Sequence, residues 1–195
     1  YDSKYEKIYN KAIPLSEDQD ITLSYVQSRN FSIELLDQLG IRFLEASNTS
    51  KEWNRDCLVY PHYLNGKIVG LKYRDIFCNK SAEQGSYIAP WGLETLDGSE
   101  TTCAWVEGHT DRIWLKNLLA RPGLDIPVLA IPHSEFPAQW LREINHIETH
   151  IFIPQSDTAG RKVIEQAHKL LQDRMHVIEL PWSRGQFGKD GCEWS

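Results

Sequence analysis

The chain has 195 residues, a formal net charge of −6 at pH 7 and 41% hydrophobic residues. Its length suits one large domain or two small ones, and its apolar content permits a buried core and argues against a disordered chain. No apolar run reaches the roughly 20 residues that a bilayer-spanning helix needs, and the N-terminus lacks a signal-peptide layout, so we expect a soluble cytoplasmic protein. The acidic charge argues against a surface coated with cations, so any contact with nucleic acid must be local.

The first predicted elements are two helices. Ser16 precedes acidic residues and an apolar stripe that continues to Arg29, as an N-cap precedes the first turn of a helix. Ser32 caps a second, shorter helix over residues 33–39. Gly40 ends this helix, because glycine tolerates the left-handed backbone found at helix C-termini.

A β-hairpin follows the helices. Residues 58–64 and 67–74 flank Asn65-Gly66, the dipeptide that best adopts the two positive φ angles of a type I′ turn. Because side chains alternate along a strand, we expect one face of the second strand to carry Val69, Leu71 and Tyr73, and the other to carry Ile68, Gly70, Lys72 and Arg74. Lys72 and Arg74 therefore point the same way.

The sequence pattern changes after the hairpin. Residues 79–102 are polar and interrupted by glycine, which indicates loops and a linker, and we place a domain boundary near residue 100. Beyond it, short apolar strands alternate with helices, which predicts a largely parallel sheet flanked by helices, with ligands at the carboxyl ends of the strands. The predicted strands are 102–106, 128–131, 149–153 and 177–180, and the predicted helices are 111–119, 138–144 and 159–174. We thus expect an α+β domain at 1–100 and an α/β domain at 101–195.

Three acidic residues lie just past predicted strand ends: Glu107, Asp157 and Asp190. Carboxylates that meet at one edge of a parallel sheet suit Mg²⁺, which completes its shell with water and substrate phosphate. Each residue also has a plain structural interpretation. Asp157 is placed to cap the helix that begins near Ala159, and Glu107 is equally compatible with a solvent-facing strand end. Spacing alone leaves both interpretations open.

Three motifs, in order, resemble the TOPRIM domain of DNA primases. Val106-Glu107-Gly108-His109-Thr110-Asp111 resembles the glutamate motif that opens this domain, where a strand ends in Glu-Gly and a helix follows. Ile153-Pro154-Gln155-Ser156-Asp157-Thr158-Ala159-Gly160-Arg161 is similar to the primase motif Asp-x-Asp-x-Ala-Gly-Arg. Leu180-Pro181 followed by Gly188-Lys189-Asp190-Gly191-Cys192-Glu193 resembles its Leu-Pro…Gly-Lys-Asp-x-Asn-Glu ending. The hairpin at residues 58–74 also looks like that of the N-terminal primase subdomain.

The resemblance implies a two-part catalytic core, a small α+β subdomain and a TOPRIM domain with the active groove between them, which joins ribonucleotides on single-stranded DNA. It implies that Glu107 is a metal ligand or a general base, and that Asp157 and Asp190 hold Mg²⁺, or Mn²⁺, on the triphosphate. The cations that would neutralise phosphate are Lys72, Arg74, Arg161 and Lys189. The implied partners are template DNA, ribonucleoside triphosphates and a replicative helicase or a flanking helicase domain, since a chain without an initiator methionine reads as part of a longer one.

Gln155 departs from the motif, which has an aspartate there. An amide is a poorer Mg²⁺ ligand than a carboxylate, so two-ion chemistry is weakened while a single ion remains feasible. The four cysteines form no C-x-x-C pair, so we expect reduced thiols and no zinc ribbon. Three functions stay open: a catalytic primase core, a degenerate TOPRIM module that binds nucleic acid or a replication partner without catalysis, and a TOPRIM nuclease or topoisomerase.

Overall fold

The computed structural model describes residues 4–17, 19–49, 53–77, 81–85, 89–120, 124–133 and 135–179, the side chains of residues 19–23, 83 and 84 excepted. The chain forms two compact units, Tyr1–Ile88 and Ala89–Ser195. The start of the second unit is tied to its sheet by Trp91, which exchanges two backbone hydrogen bonds of 2.9 Å with Ala130. In the described part of the chain, no helix is both long and apolar enough to cross a bilayer.

The first unit is built on an antiparallel sheet. Its helices are α1 (Lys4–Tyr9), α2 (Gln19–Ser28) and α3 (Ile33–Gln38), and its strands are β1 (Ile13–Pro14), β2 (Arg42–Leu44), β3 (Cys57–Leu64), β4 (Lys67–Asp75) and β5 (Ser81–Gly85). The strands pair in sequential order. Ser32 caps α3 as predicted, since its Oγ accepts a hydrogen bond of 3.0 Å from the backbone N of Leu35. The first predicted helix begins later than its expected cap, at Gln19.

The β3–β4 hairpin has the predicted turn and one irregularity. Asn65 and Gly66 have φ angles of 50° and 72°, both positive, as a type I′ turn requires. The pairing then shifts register between His62 and Tyr63, which leaves Val69 as an extra residue in β4. An extra residue of this kind is a β-bulge, and it changes which face the neighbouring side chains occupy.

The bulge corrects the predicted alternation along β4. Ile68 joins Leu71 and Tyr73 in the buried core of the first unit, so the prediction that it shares a face with Lys72 was wrong. Lys72 and Arg74 lie on the regular side of the bulge, where each residue has one partner on β3. They share a face, as predicted, and both are half-buried.

β5 lies in a stretch that the sequence predicted to be a loop. Its residues Ser81–Gly85 have low strand propensity, but they pair with the second edge of β4, from Arg74 opposite Ser81 to Gly70 opposite Gly85. The prediction was wrong here because the unpaired backbone groups of β4 stabilise a strand that local sequence does not favour.

The second unit is built on a parallel sheet. Its strands are β6 (Thr102–Glu107), β7 (Val128–Ile131), β8 (Thr149–Ile153) and β9 (Met175–Val177), and its helices are α4 (His109–Leu119), α5 (Leu141–Ile144) and α6 (Thr158–Leu171). The strand order is β7-β6-β8-β9. The predicted fold class, a mostly parallel α/β sheet flanked by helices after a small α+β part with a hairpin, is confirmed. The last strand begins two residues before its predicted start and ends at Val177, opposite Phe152.

β6 is buried on both faces. Trp105 lies in an aromatic cluster with Phe136, Trp140 and Phe152, at ring-centroid distances of 5.0 to 6.2 Å, and this cluster packs against α6. α4 packs on β6 and β7. Burial on both faces is the usual state of a parallel strand and explains the unbroken apolar run of β6. Cys103 in this strand is a buried free thiol, as expected.

Candidate functional site

β6 and β8 end side by side. Their parallel register places Val106 opposite Ile153, so Glu107 and the segment after β8 leave the sheet at the same edge. Glu107 is half-buried, and its Oε1 accepts a hydrogen bond of 3.0 Å from the backbone N of Gln155. The carboxylate of Glu107 is thus held against the loop between β8 and α6.

Gly108 turns the chain from β6 into α4. Its φ of 87° lies in the region that favours glycine, which gives the Glu-Gly pair of the motif a physical reason. Its backbone N donates a hydrogen bond of 3.2 Å to the carbonyl of Ile131, at the end of β7. This turn places the N-terminus of α4 beside Glu107.

Asp157 is the N-cap of α6. Its Oδ1 accepts a hydrogen bond of 3.0 Å from the backbone N of Gly160. The plain structural interpretation of Asp157 is therefore realised. It does not exclude metal binding, because a carboxylate that uses one oxygen in a cap retains a second one.

Gly160 brings the two carboxylates together. A Cβ at this position would overlap the carbonyl oxygen of Gln155 and lie 2.6 Å from Oε1 of Glu107, so a larger side chain cannot be accommodated without movement. Glu107 and Asp157 thus both lie against Gly160. Glu107 approaches the Cα of Gly160, and Asp157 accepts the hydrogen bond from its backbone N. The small residue of the Ala-Gly-Arg motif is required by this close approach.

Asp111 is a third carboxylate at this edge, and it was not among the residues that the sequence motifs pointed to. It is 7% exposed, and its Oδ2 accepts a hydrogen bond of 3.2 Å from Nε2 of Gln155. The sequence signal was its position in the first turn of α4, four residues after Glu107, because the start of this helix lies at the same edge of the sheet. Gln155 thus contacts both Glu107 and Asp111.

Arg112 ties α4 to the start of β7 and to Trp91. It is fully buried, its Nε donates to the carbonyl of Val128 over 2.7 Å, and its guanidinium lies 4.3 Å from the ring centroid of Trp91. Burial lowers the pKa of the Arg112 guanidinium from 12.5 to about 10, and the negative charge of Glu94 offsets part of this effect. The His109 ring packs against the same Trp91 ring at a centroid distance of 4.6 Å and a tilt of 32°. These contacts lock the helix that carries Asp111.

Arg161 and Lys162 lie on the first turns of α6. Arg161 is exposed and lines a cavity of about 540 Å³, together with Gln155 and Ser156. Lys162 is exposed and pairs with Glu135 over 3.2 Å, as an ordinary surface cation does. Arg161 is thus the cation of this motif that faces a cavity, whose lining also includes Glu165 and Glu179.

Three carboxylates therefore meet at one edge, but their number does not by itself define a metal site. The described residues contain no group of three or more His, Cys, Asp or Glu side chains arranged to hold a metal ion. Mg²⁺ is usually held by one or two protein carboxylates and completed by water and phosphate, so Glu107 and Asp157 have suitable donor chemistry. Asp190 and Lys189, the remaining predicted residues of the second unit, lie outside the described residues.

Comparison with known proteins finds similarity in fold. No protein-family model matches the chain. No curated protein matches it in sequence. The primase fragment of the bacteriophage T7 primase-helicase protein matches with a TM-score of 0.67 and 23% identity, over 86% of this chain and 66% of that one. The DnaG primase catalytic domain bound to ssDNA matches with a TM-score of 0.64 and 15% identity, over 93% of this chain and 73% of that one.

The chain has the fold of a primase catalytic core. The DnaG catalytic core itself matches with a TM-score of 0.65 and 16% identity, over 92% of this chain and 71% of that one. The chain thus spans about two thirds to three quarters of the length of these primase structures. At such identities the likeness is one of fold.

In this primase fold, the sequence-predicted residues fall into two groups. Glu107 and Asp157 both approach Gly160 at the carboxyl edge of the parallel sheet, and Arg161 lies on the first turn of the helix that Asp157 caps. Lys72 and Arg74 lie on the antiparallel sheet of the first unit. In this sheet, burial raises the pKa of Tyr60, the β3 partner of Lys72, well above its ordinary value. The positive charges of Arg74 and Arg29 partly offset this rise, and Arg29 was not among the site residues predicted from the sequence.

Proposed function

We propose that this chain is the catalytic core of a primase-like nucleotidyltransferase, which joins ribonucleotides on a single-stranded DNA template in the presence of Mg²⁺ or Mn²⁺. The observation that carries the proposal is the approach of Glu107 and Asp157 to Gly160 at the carboxyl edge of the parallel sheet, in a chain with the primase fold. Carboxylates at such an edge are suited to phosphate chemistry, because ligands of α/β sheets bind there.

The proposed ion would be held by Glu107, Asp157 and Asp190. When bound, Mg²⁺ neutralises charge on the triphosphate and aligns it for attack. Glu107 is already oriented by the backbone N of Gln155, so little reorganisation is needed to bind the ion. Asp157 is oriented in the same way by its cap hydrogen bond.

The proposed phosphate contacts are cationic. Arg161 is the cation in the lining of the cavity beside Gln155 and Ser156, which also contains Glu165 and Glu179, and it is proposed to contact a nucleotide phosphate. Lys72, Arg74 and Lys189 are proposed to neutralise further phosphates of template and nucleotide. Of the proteins with this fold, one is bound to ssDNA and one is a primase-helicase, which supports a DNA template and a helicase partner as proposals for this chain.

Primer synthesis tests the proposal. The full chain is incubated with a long, mixed-sequence single-stranded DNA, labelled ribonucleotides and either Mg²⁺ or Mn²⁺, and products are separated on a denaturing gel. Short oligoribonucleotides that need the template are expected. Glu107→Gln should reduce their yield about 100-fold or more, because it removes an ionised group from the reacting centre. Glu143→Gln, on the exposed surface of α5, is the matched control and should leave the yield unchanged.

A second candidate function is a non-catalytic module that binds nucleic acid. The observation that favours it is the use of the Gln155 amide to bind Asp111, which leaves the motif with one carboxylate fewer. This candidate predicts binding of single-stranded DNA and no product with either metal. Shortening of the DNA template in the same assay would instead favour a nuclease.

A further inference from the structure

Gln155 lies at the centre of the candidate site and makes two hydrogen bonds to its carboxylates. Its backbone N donates to Oε1 of Glu107 over 3.0 Å, and its side-chain Nε2 donates to Oδ2 of Asp111 over 3.2 Å. These contacts join three elements, because Glu107 ends β6, Asp111 lies in the first turn of α4, and Gln155 lies between β8 and α6.

The chemistry of this position explains why an amide is suitable. Asp111 is 7% exposed, and a carboxylate buried to this extent is destabilised unless donors bind it. A carboxylate at position 155 would face Asp111 with the same charge, whereas the amide of Gln155 supplies a donor. The departure from the motif therefore creates a contact as well as removing a ligand.

We propose that Gln155 is a positioning residue that holds Asp111 and Glu107 in place and thereby sets the affinity of the Glu107 and Asp157 site for a divalent cation. The inference rests on the proposed function, since that function supplies the cation. The Gln155 side chain acts through Asp111, which fixes the loop whose backbone N holds the ligand Glu107, and Gln155 is not itself a ligand. Partners of this kind orient the groups that bind a metal, and their loss weakens binding although no ligand is removed.

The test uses Mn²⁺ as the probe and the full chain as the protein. The concentration of free Mn²⁺ is measured from its electron paramagnetic resonance signal at each step of a titration. Gln155→Met keeps a similar volume and removes the donor, and it should weaken Mn²⁺ binding about 10- to 100-fold. Gln139→Ala, an exposed glutamine of the same unit, should bind Mn²⁺ as the wild type does.

A double variant separates positioning from general damage. If Gln155 acts through Asp111, the variant with both Asp111→Asn and Gln155→Met binds Mn²⁺ no more weakly than Asp111→Asn alone. Wild-type affinity in folded Gln155→Met overturns the inference, and so does an additive loss in the double variant.

One measurement needs neither the Met variant nor a metal. The side-chain NH₂ resonances of Gln155 should shift in Asp111→Asn relative to the wild type in the presence of EDTA, and unchanged resonances overturn the hydrogen bond. Failure of the proposed function looks different. A wild-type chain that binds no Mn²⁺ overturns the proposed function together with the claim about affinity, whereas Mn²⁺ binding that is equal in wild type and Gln155→Met overturns this inference alone.

Discussion

Asp157 combines a structural role with a proposed chemical one, and two substitutions separate them. Asp157→Asn keeps an oxygen that can accept the cap hydrogen bond from Gly160 but removes the charge. Asp157→Ala removes both. The cap bond is 3.0 Å long, so Asp157→Ala should lower the free energy of unfolding by about 1 kcal/mol, while Asp157→Asn should lower it by a few tenths up to about 1 kcal/mol.

Both variants of Asp157 should bind the metal more weakly than the wild type, because both remove the charge of the carboxylate. One unit charge as far as about 4 Å from a divalent ion contributes about 2 kcal/mol even at the dielectric constant of water, which is a lower bound for a carboxylate that contacts the ion directly. Loss of that charge corresponds to about 30-fold weaker binding. Asp157→Asn thus separates the two roles, since it keeps most of the cap and loses the charge, and Asp157→Ala should bind the metal at least as weakly as Asp157→Asn.

Urea denaturation followed by circular dichroism measures the stability, and Mn²⁺ titration measures the affinity. Ser32→Ala is the matched control, because Ser32 caps α3 with a bond of the same 3.0 Å length in the first unit. It should lose about 1 kcal/mol of stability and keep wild-type Mn²⁺ affinity. If folded Asp157→Asn binds Mn²⁺ as tightly as the wild type, Asp157 is a helix cap and the proposed site is wrong.

Three further predictions concern packing, pH and DNA. Gly160→Ala should lower the free energy of unfolding in urea by about 1–3 kcal/mol, because its Cβ overlaps a backbone carbonyl; unchanged stability contradicts the close approach. Burial lowers the pKa of His150 from 6.5 to about 4, so the unfolded chain binds a proton that the folded chain does not. The contribution of His150 to the free energy of unfolding should be complete above about pH 6.5 and should fall by up to about 3 kcal/mol as the pH drops to 4. His150→Gln should flatten this pH profile, and exposed His176→Gln should not. Lys72→Ala should make the slope of log K against log salt concentration for single-stranded DNA binding shallower by about 0.7. Exposed Lys67→Ala is the control and should leave this slope unchanged. An unchanged slope for Lys72→Ala contradicts a phosphate contact.

The sequence predicted the parallel sheet well because each strand is a short apolar run that local propensity and burial both favour. The bounds of β7 and β8 match the predicted ranges 128–131 and 149–153. Asn65-Gly66 likewise predicted its turn, since few dipeptides adopt two positive φ angles. Where local chemistry determines the backbone, the sequence was sufficient.

Other features depend on neighbours that the sequence does not show. β5 forms because β4 has an edge with unpaired backbone groups, which the sequence of residues 81–85 does not reveal. The bulge at Val69 places Ile68 in the core, which a strict two-residue alternation cannot predict. Asp111 escaped selection for a similar reason. Its carboxylate looks like an ordinary acidic residue in the first turn of a helix until Gln155, 44 residues later, is seen to contact it.

The most direct test of the central claim is a crystal of the full chain soaked in Mn²⁺ and measured at a wavelength where manganese scatters anomalously. The account predicts an anomalous peak about 2.0–2.3 Å from carboxylate oxygens of both Glu107 and Asp157, next to Gly160. An anomalous map with no peak between these two side chains, at a Mn²⁺ concentration that saturates the protein in solution, would contradict it.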